Sequence, residues 1–359
     1  MPLVFRQDVP LAAHTTFELG GAARFLVDVA REDELLQALS FARSRGLPTL
    51  VLGGGSNLVV ADRGFDGLVI RMAIRGVDRR GERIVVAAGE PWDALVERCV
   101  DAGLAGFECL SGIPGRVGAT PIQNVGAYGQ DVAETIVSVR TIDGTTLAIR
   151  ERATSACGFR YRHSVFKEAE GRDEIVTAVT FALRAGGPPA VRYPELEKAV
   201  RAAATTPTLA SVRATVIALR RAKSMVIDPS DENRRSAGSF FTNPIVDPAV
   251  ADEVARRARS IGVLDDRSQM PRFPADPGVK LSAAWLIERA GFPKGTRRGA
   301  VGVSSRHALA LVHHGGGSAA ELVDFACEIV ETVRARFDVR LRPEPVLVGF
   351  PDDHPLLTR

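Results

Sequence analysis

ARFLVDVAREDELLQALSFARSRGLPTLVLGGGSNLVV (23–60) reads as a strand, a helix, a second strand and a glycine loop. ARFLVDVA (23–30) has strand character. Glu32, Asp33 and Glu34 then open a helix on which Leu35, Leu36, Leu39 and Ala42 share one apolar face. Acids at its start, Arg43 and Arg45 near its end and Gly46 after it suit the helix dipole and the usual C-terminal stop. Pro48 leads into the apolar run TLVLGG, and Gly53, Gly54 and Gly55 follow. Strand–helix–strand units that end in glycines bind phosphates in many unrelated folds. The loop lacks the Lys and Ser/Thr of a Walker A sequence and the Gly-x-Gly-x-x-Gly of a dinucleotide loop. A bare glycine triplet is first of all a tight turn. Ser56 and Asn57 at the start of the next β run add side-chain donors and turn the reading toward a pyrophosphate.

Downstream the pattern repeats. RIVVAAG (83–89) is a strand, and Pro91 starts a helix with Trp92, Leu95, Val96 and Cys99 on one face. Further strands are expected at 136–142, 145–149 and 174–183, a loop at 184–194, and a helix at about 208–221 with Leu209, Val212, Val216 and Leu219 aligned. DPSDENRRSAG (228–238) reads as a turn near a domain boundary. A smaller α/β unit follows. In it Ser318 and Glu321 form a capping box, and Leu322, Phe325, Ile329, Val333 and Phe337 mark the core face of a long helix. VRLRPEPVLVG (339–349) is an edge or end strand interrupted at Pro343 and Pro345.

Composition narrows the classes. At 359 residues, two or three domains are expected. With 46 basic against 43 acidic residues the net charge is +3, and the basic residues are dispersed, so neither nucleic acid nor a membrane surface is an expected partner. No apolar run reaches the roughly 20 residues of a spanning helix, and MPLVFRQDVPLAAHTTF has no secretory pattern. Cys99, Cys109, Cys157 and Cys327 lie far apart without a Cys-x-x-Cys pair, and the six histidines have no metal-ligand spacing. Reduced thiols, no metal and a cytoplasmic location are expected.

Four further segments could carry chemistry. SGIPGRVGATPIQNVGAYGQ (111–130) holds Gly112, Gly115 and Gly118 at spacing three, with Thr120, Gln123, Asn124 and Tyr128 sharing no apolar period. A core element would not spend so many glycines, whereas a loop wrapped around a ligand would. In CGFRYRHSVFK (157–167) alternation would put Arg160, Arg162 and Ser164 on one strand face, where a guanidinium could grip a carboxylate at two points. In RSAGSFFTNP (235–244) an extended chain would put Ser239 and Phe241 on one face and Phe240 on the other. Ser239 has no nucleophile elbow around it, and alone this segment is most simply a strand entering a core. Glu344 stands between two prolines. The three tyrosines, Tyr128, Tyr161 and Tyr193, all lie in loop or motif segments, as ligand contacts would.

Taken in order, GGGSN, IPGxVGATPIQNVGAYG, FxYRxSxFK, AGSFFxNP and the late PE resemble the UDP-N-acetylenolpyruvoylglucosamine reductase family from about His14 to Gly349. The resemblance implies an α+β protein: an FAD-binding domain of the vanillyl-alcohol-oxidase type in two α/β subdomains, plus a smaller α/β substrate-binding domain. The expected boundaries are 1–70 and 71–224 for the flavin subdomains, the second completed by 339–359, with 225–338 for the substrate domain. It also implies non-covalent FAD, NADPH as co-substrate, and UDP-N-acetylglucosamine enolpyruvate as the substrate reduced to UDP-N-acetylmuramate in peptidoglycan precursor synthesis. A monomer is expected.

By position, the resemblance makes Ser239 the proton donor and sets Arg162 and Glu344 against the enolpyruvyl carboxylate. It assigns FAD contacts to Gly53, Gly54, Gly55, Ser56, Asn57, Gly115, Gly118, Ala119, Thr120, Gln123, Asn124 and Gly126. Tyr161, Tyr193, Lys223 and Asn243 become substrate contacts, Tyr193 in a loop that only some members possess. His307 stands where some members carry a substrate-binding Gln and is left outside the site. Two other functions compete: an oxidase on the same scaffold, marked by covalent FAD or rapid reaction with oxygen, and a flavin-free nucleotide-sugar-binding protein.

Overall fold

The computed structural model describes residues 3–203 and 206–358, and the chain divides into two compact units. The first comprises residues 1–9, 23–55 and 66–227, and the second 10–22, 56–65 and 228–359. The closing segment 339–359 therefore groups with 228–338, where the sequence suggested it would complete a flavin subdomain. The pairing explains it: Val346–Val348 runs parallel to Leu58–Val60, both within the second unit.

The first unit has two layers built around separate sheets. One sheet orders its strands Arg6–Pro10, Ala22–Val29, Phe65–Met72 and Thr49–Leu52, the last two parallel with Thr49 opposite Leu68. The helix Glu32–Ser44 buries Leu35, Ala38, Leu39 and Ala42, close to the face its periodicity predicts. Leu36 lies beside that core, partly buried. The second sheet is antiparallel, ordered Ile149–Ala153, Ile136–Asp143, Glu174–Ala182, Arg83–Ala87 and Val77–Arg80. Val139, Val179 and Val86 stand in one row across three of its strands, all fully buried, as β-branched residues on a half-covered pleat should. The strand expected at 145–149 lies instead at Ile149–Ala153. The Asp143 carboxylate accepts the N–H groups of Thr145 and Thr146 at 3.0 and 2.7 Å, and that local turn outcompetes the ladder.

Phe107 meets both Trp92 and Phe181 edge to face, locking the helix Trp92–Asp101 onto the antiparallel sheet, with Trp92 and Phe107 centroids 4.9 Å apart. The indole N–H of Trp92 donates to the Leu110 carbonyl at 3.0 Å, so the glycine-rich segment starts from a fixed point. The loop expected at 184–194 ends earlier than its composition suggests. Pro194 occupies the first turn of a helix, Pro194–Ala202, that packs with Leu209–Ala222 around Leu196, Val212 and Val216. Burial pushes the thiols of Cys99 and Cys157 up to about 11, which keeps them protonated and inert.

The second unit is smaller. Its helices Pro248–Ser260, Ala283–Ala290 and Ala319–Phe337 enclose a core with two three-stranded sheets. The long helix is capped as its sequence predicts: Ser318 accepts from the Glu321 N–H, and the Glu321 carboxylate accepts from the Ser318 N–H at 2.9 Å. Leu322, Phe325, Ile329, Val333 and Phe337 all face the core.

Candidate active site

Within the first unit, Gly53 to Gly55 and the 115–126 loop form one floor. A Cβ added at Gly54 would lie 2.9 Å from the Gly115 Cα, so two backbones touch where no side chain fits. The loop is laced to the strand and helix behind it. Gly118 N–H donates to Ala88 C=O at 2.9 Å, Val117 to Glu90 at 2.9 Å, and Trp92 to Gly115 at 3.1 Å. Thr120 is buried and donates to the Val117 carbonyl at 2.8 Å, while Ala119 is exposed. Asn124 ends the short helix Thr120–Gln123 in the left-handed region (φ 41°), with its amide on Arg160 C=O at 3.0 Å and its side-chain carbonyl receiving Ala133 N–H at 3.3 Å. A floor of closely packed glycine backbone is what a dinucleotide's pyrophosphate and flat ring require, and these residues fit FAD.

Arg162 is not on a strand. Arg160 and His163 exchange main-chain hydrogen bonds at 3.1 and 3.0 Å, leaving Tyr161 and Arg162 as the two-residue tip of a tight turn, with Arg162 at φ 54°. The alternation that would align Arg160, Arg162 and Ser164 is therefore lost. Arg160 turns out to Glu168 at 2.9 Å, whereas Arg162 is half-buried and donates from Nη2 to the Gly126 carbonyl at 2.8 Å. Ser164 donates to Ile122 C=O at 2.8 Å, and Lys167 donates to the Gln123 side chain at 3.2 Å. The turn is thus docked on the glycine-rich loop from several sides. Left-handed residues of this kind are strained and collect at functional sites.

The tyrosines sort by environment. Tyr128 and Tyr193 meet edge to face with centroids 5.7 Å apart, and Tyr193 and Tyr161 keep 42% and 36% of their surface. Burial raises the Tyr128 hydroxyl to about 12, so it acts as a neutral donor. Lys223 pairs with Glu195 at 2.6 Å, and its ammonium lies 6.0 Å from the Tyr128 ring.

One cation was missed in the sequence. Arg220 is almost wholly buried and donates to Met225 C=O at 2.7 Å, while its Nε has no hydrogen-bond partner. Desolvation brings its guanidinium down to about 10, against the pull of Tyr128 and Asp93. A signal existed. Arg213 and Arg220 are a heptad apart and flank Val216 on the buried side of one helix. Arg213 holds Asp93 at 2.6 Å, and Asp93 in turn accepts the Gly112 N–H at 2.6 Å.

In the second unit three segments lie side by side. The Asn57 amide donates to the Glu344 carbonyl at 3.2 Å, and Val346 N–H donates to Asn57 C=O at 2.9 Å. Glu344 N–H donates to Phe240 C=O at 2.8 Å, and Phe240 N–H to Leu309 C=O at 2.7 Å. Glu344 is thereby bonded to the residue that follows Ser239, and both Ser239 and Glu344 are half-buried. Phe240 and Phe241 do not divide between two faces; both are buried, with rings 5.1 Å apart. The cause is the break at Gly238 (φ 71°), after which the chain makes only an isolated bridge from Phe241 to Pro343. Asn243 serves the fold as well, its side-chain oxygen accepting the Ala283 N–H at 2.9 Å. His307 accepts the Leu309 N–H at 3.1 Å, a local turn contact.

Comparison with known proteins adds independent findings. Residues 23–150 match the FAD binding domain family, and residues 228–348 match the C-terminal domain of UDP-N-acetylenolpyruvoylglucosamine reductase. The chain is 48% identical over 359 residues to the UDP-N-acetylenolpyruvoylglucosamine reductase of Thermobifida fusca, covering 97% of this chain and 99% of that one. It is 47% identical to the enzyme of the same name from Streptomyces coelicolor, covering 97% and 91%. The crystal structure of the Thermus caldophilus UDP-N-acetylenolpyruvylglucosamine reductase superposes with a TM-score of 0.66 at 27% identity, covering 97% of this chain and all of that one.

Proposed function

The chain belongs to the UDP-N-acetylenolpyruvoylglucosamine reductase family, and from that premise we propose how its residues carry the reduction of UDP-N-acetylglucosamine enolpyruvate to UDP-N-acetylmuramate in peptidoglycan synthesis. The activity is that of an FAD-dependent oxidoreductase using NADPH. FAD, when bound, supplies the hydride that NADPH provides to it. The chain's residues hold the cofactor, orient the substrate and deliver a proton.

FAD is held without a covalent bond by Gly53, Gly54, Gly55, Gly115, Gly118, Ala119, Thr120, Gln123, Asn124 and Gly126, with Ser56 and Asn57 as further contacts. The Gly54–Gly115 approach supports this part. Ser239 donates its hydroxyl proton to the substrate's α-carbon. Arg162 stabilises the negative charge that builds on the enolpyruvyl carboxylate before protonation, and Glu344 polarises that carboxylate by hydrogen bonding. Positioned proton transfer of this kind is worth about 10²–10⁴-fold in rate. Tyr161, Tyr193, Lys223 and Asn243 bind the nucleotide sugar. We infer a monomer acting in the cytoplasm, and the dispersed charge supports the absence of a nucleic-acid partner. Among the described residues no helix is long and apolar enough to cross a membrane.

The observation that supports this reading is the Glu344–Phe240 main-chain bond, which ties Glu344 to the residue that follows Ser239 although the two are far apart in sequence. The test is the visible flavin spectrum of the purified protein. It should bleach with NADPH under anaerobic conditions and recover only on adding UDP-N-acetylglucosamine enolpyruvate. Recovery with oxygen alone, as fast as with substrate, would count against the assignment.

A further inference from the structure

Glu108 is a buried carboxylate with no role in the chemistry described above. It is fully inaccessible. Its bonds are to neutral donors. Oε1 accepts the Ala190 N–H at 2.7 Å and the Gln130 amide at 3.4 Å, and Oε2 accepts the Gly106 N–H at 2.8 Å. Burying a carboxylate is costly unless such bonds repay it, so the geometry around it is tightly specified.

Its neighbours act on the same point. The Cys109 N–H donates to the Gln130 side-chain oxygen at 3.0 Å, and the Cys109 thiol donates to the Ala190 carbonyl at 2.8 Å. Burial, with the adjacent Glu108, raises that thiol to about 12, so it keeps its proton and remains a donor. Both main-chain groups of Ala190 are therefore clamped, its N–H by Glu108 and its carbonyl by Cys109. Beyond Tyr193, Leu196 is fully buried in the same cluster as Cys109 and Ala190. The Tyr193 carbonyl accepts the Glu197 N–H at 2.8 Å. Tyr193 thus projects from a short span fixed on both sides, with its ring exposed and edge-on to Tyr128.

We infer that Glu108 is a positioning residue for substrate binding: it clamps Ala190, and through it sets where Tyr193 stands. This rests on the reading of Tyr193 as a substrate contact. Glu108 lies in the segment that runs on to Gly112 and Gly115, so one element carries both the cofactor loop and the anchor of the substrate tyrosine.

The test is a double-mutant cycle on the FAD-loaded enzyme, reading the Kd of UDP-N-acetylglucosamine enolpyruvate from its perturbation of the oxidised flavin spectrum. Glu108→Gln keeps the size but sets an amide donor against an N–H, and should weaken substrate binding roughly tenfold. FAD content should stay at the wild-type level, and kcat at saturating substrate should fall far less than KM rises. Tyr193→Ala should weaken binding too, and Glu108→Gln in that background should add nothing. If the two effects multiply, or if FAD is lost in step with affinity, Glu108 acts elsewhere and the inference fails. An unchanged Kd in Tyr193→Ala removes the reading of Tyr193 and this inference together. A weakened Tyr193→Ala beside a wild-type-like Glu108→Gln removes the inference alone. Should Glu108→Gln not fold, Cys109→Ala deletes only the thiol contact and must show the same dependence on Tyr193; an unchanged Kd there overturns the clamp.

Discussion

The N–H of Glu344 donates to the carbonyl of Phe240 at 2.8 Å, a main-chain bond between the late carboxylate and the residue that follows Ser239. The Asn57 amide secures the Glu344 carbonyl from the other side at 3.2 Å. These two bonds hold the Glu344 backbone on both sides.

Glu344→Gln should keep both main-chain bonds, the fold and the bound FAD. Replacing the carboxyl by an amide should lower kcat by about 10²–10³-fold, the usual cost of deleting one aimed polar group. The check is kcat measured beside flavin content and melting temperature. Activity within a few-fold of wild type would return Glu344 to a structural role.

Arg162→Lys should be costly although the charge is kept. An ammonium cannot hold a carboxylate at two points while also reaching the Gly126 carbonyl, as the guanidinium does at 2.8 Å. A rise in substrate KM of roughly tenfold or more is expected, with FAD retained. Steady-state kinetics at matched flavin content test this.

Gly54→Ala should act on the cofactor. The new methyl would meet the Gly115 backbone at 2.9 Å, and two main chains cannot part without opening the floor. Overpacking of this kind costs about 1–3 kcal/mol. The variant should purify with much less flavin, read from the ratio of flavin to protein absorbance. Full occupancy would show that the floor has slack.

The two α/β layers and the capped long helix were legible because their apolar periods and caps are local. The glycine-rich loop was legible because its composition suits nothing else. Arg162 was singled out as a candidate, yet the strand expected around it is not formed: strict alternation in FRYRHS looks like a pleat, and only the docking onto Ile122, Asn124 and Gly126 makes it a turn. Ser239 was unreadable by itself, since the main-chain bond beside it comes from Glu344, far away in the chain. The burial of Phe240 and Phe241 together needed the break at Gly238. Arg220 was overlooked because a helical arginine is ordinarily solvated, and its burial is decided by the loop that covers it. The clamp on Ala190 joins groups about eighty residues apart and leaves no local pattern.

Stability in acid should depend on Glu174. Its side chain is almost fully buried and accepts from Arg152 at 2.7 Å, Arg150 at 3.0 Å and Thr141 at 2.9 Å. Burial alone would raise its carboxyl, but the Arg152, Thr141 and Arg150 bonds outweigh that and hold it below the usual range. A depressed folded value means the carboxylate stabilises the fold above the ordinary glutamate pKa of about 4.3, and that this is lost as pH falls through the folded value. Glu174→Gln should destabilise the fold near neutrality, because Arg152 then keeps only the Glu170 carboxylate, at 3.1 Å, as an ionic partner. It should also flatten the fall of stability below about pH 4. Urea unfolding against pH checks both, and an unaltered acid limb would contradict the assignment.

The most direct test of the account is anaerobic stopped-flow on Ser239→Ala, comparing bleaching of the bound flavin by NADPH with turnover of UDP-N-acetylglucosamine enolpyruvate. Bleaching should proceed as in the wild type, and turnover should fall by at least about 10²-fold, because only the proton donor is missing. Turnover near the wild-type rate would mean that Ser239 does not supply the proton.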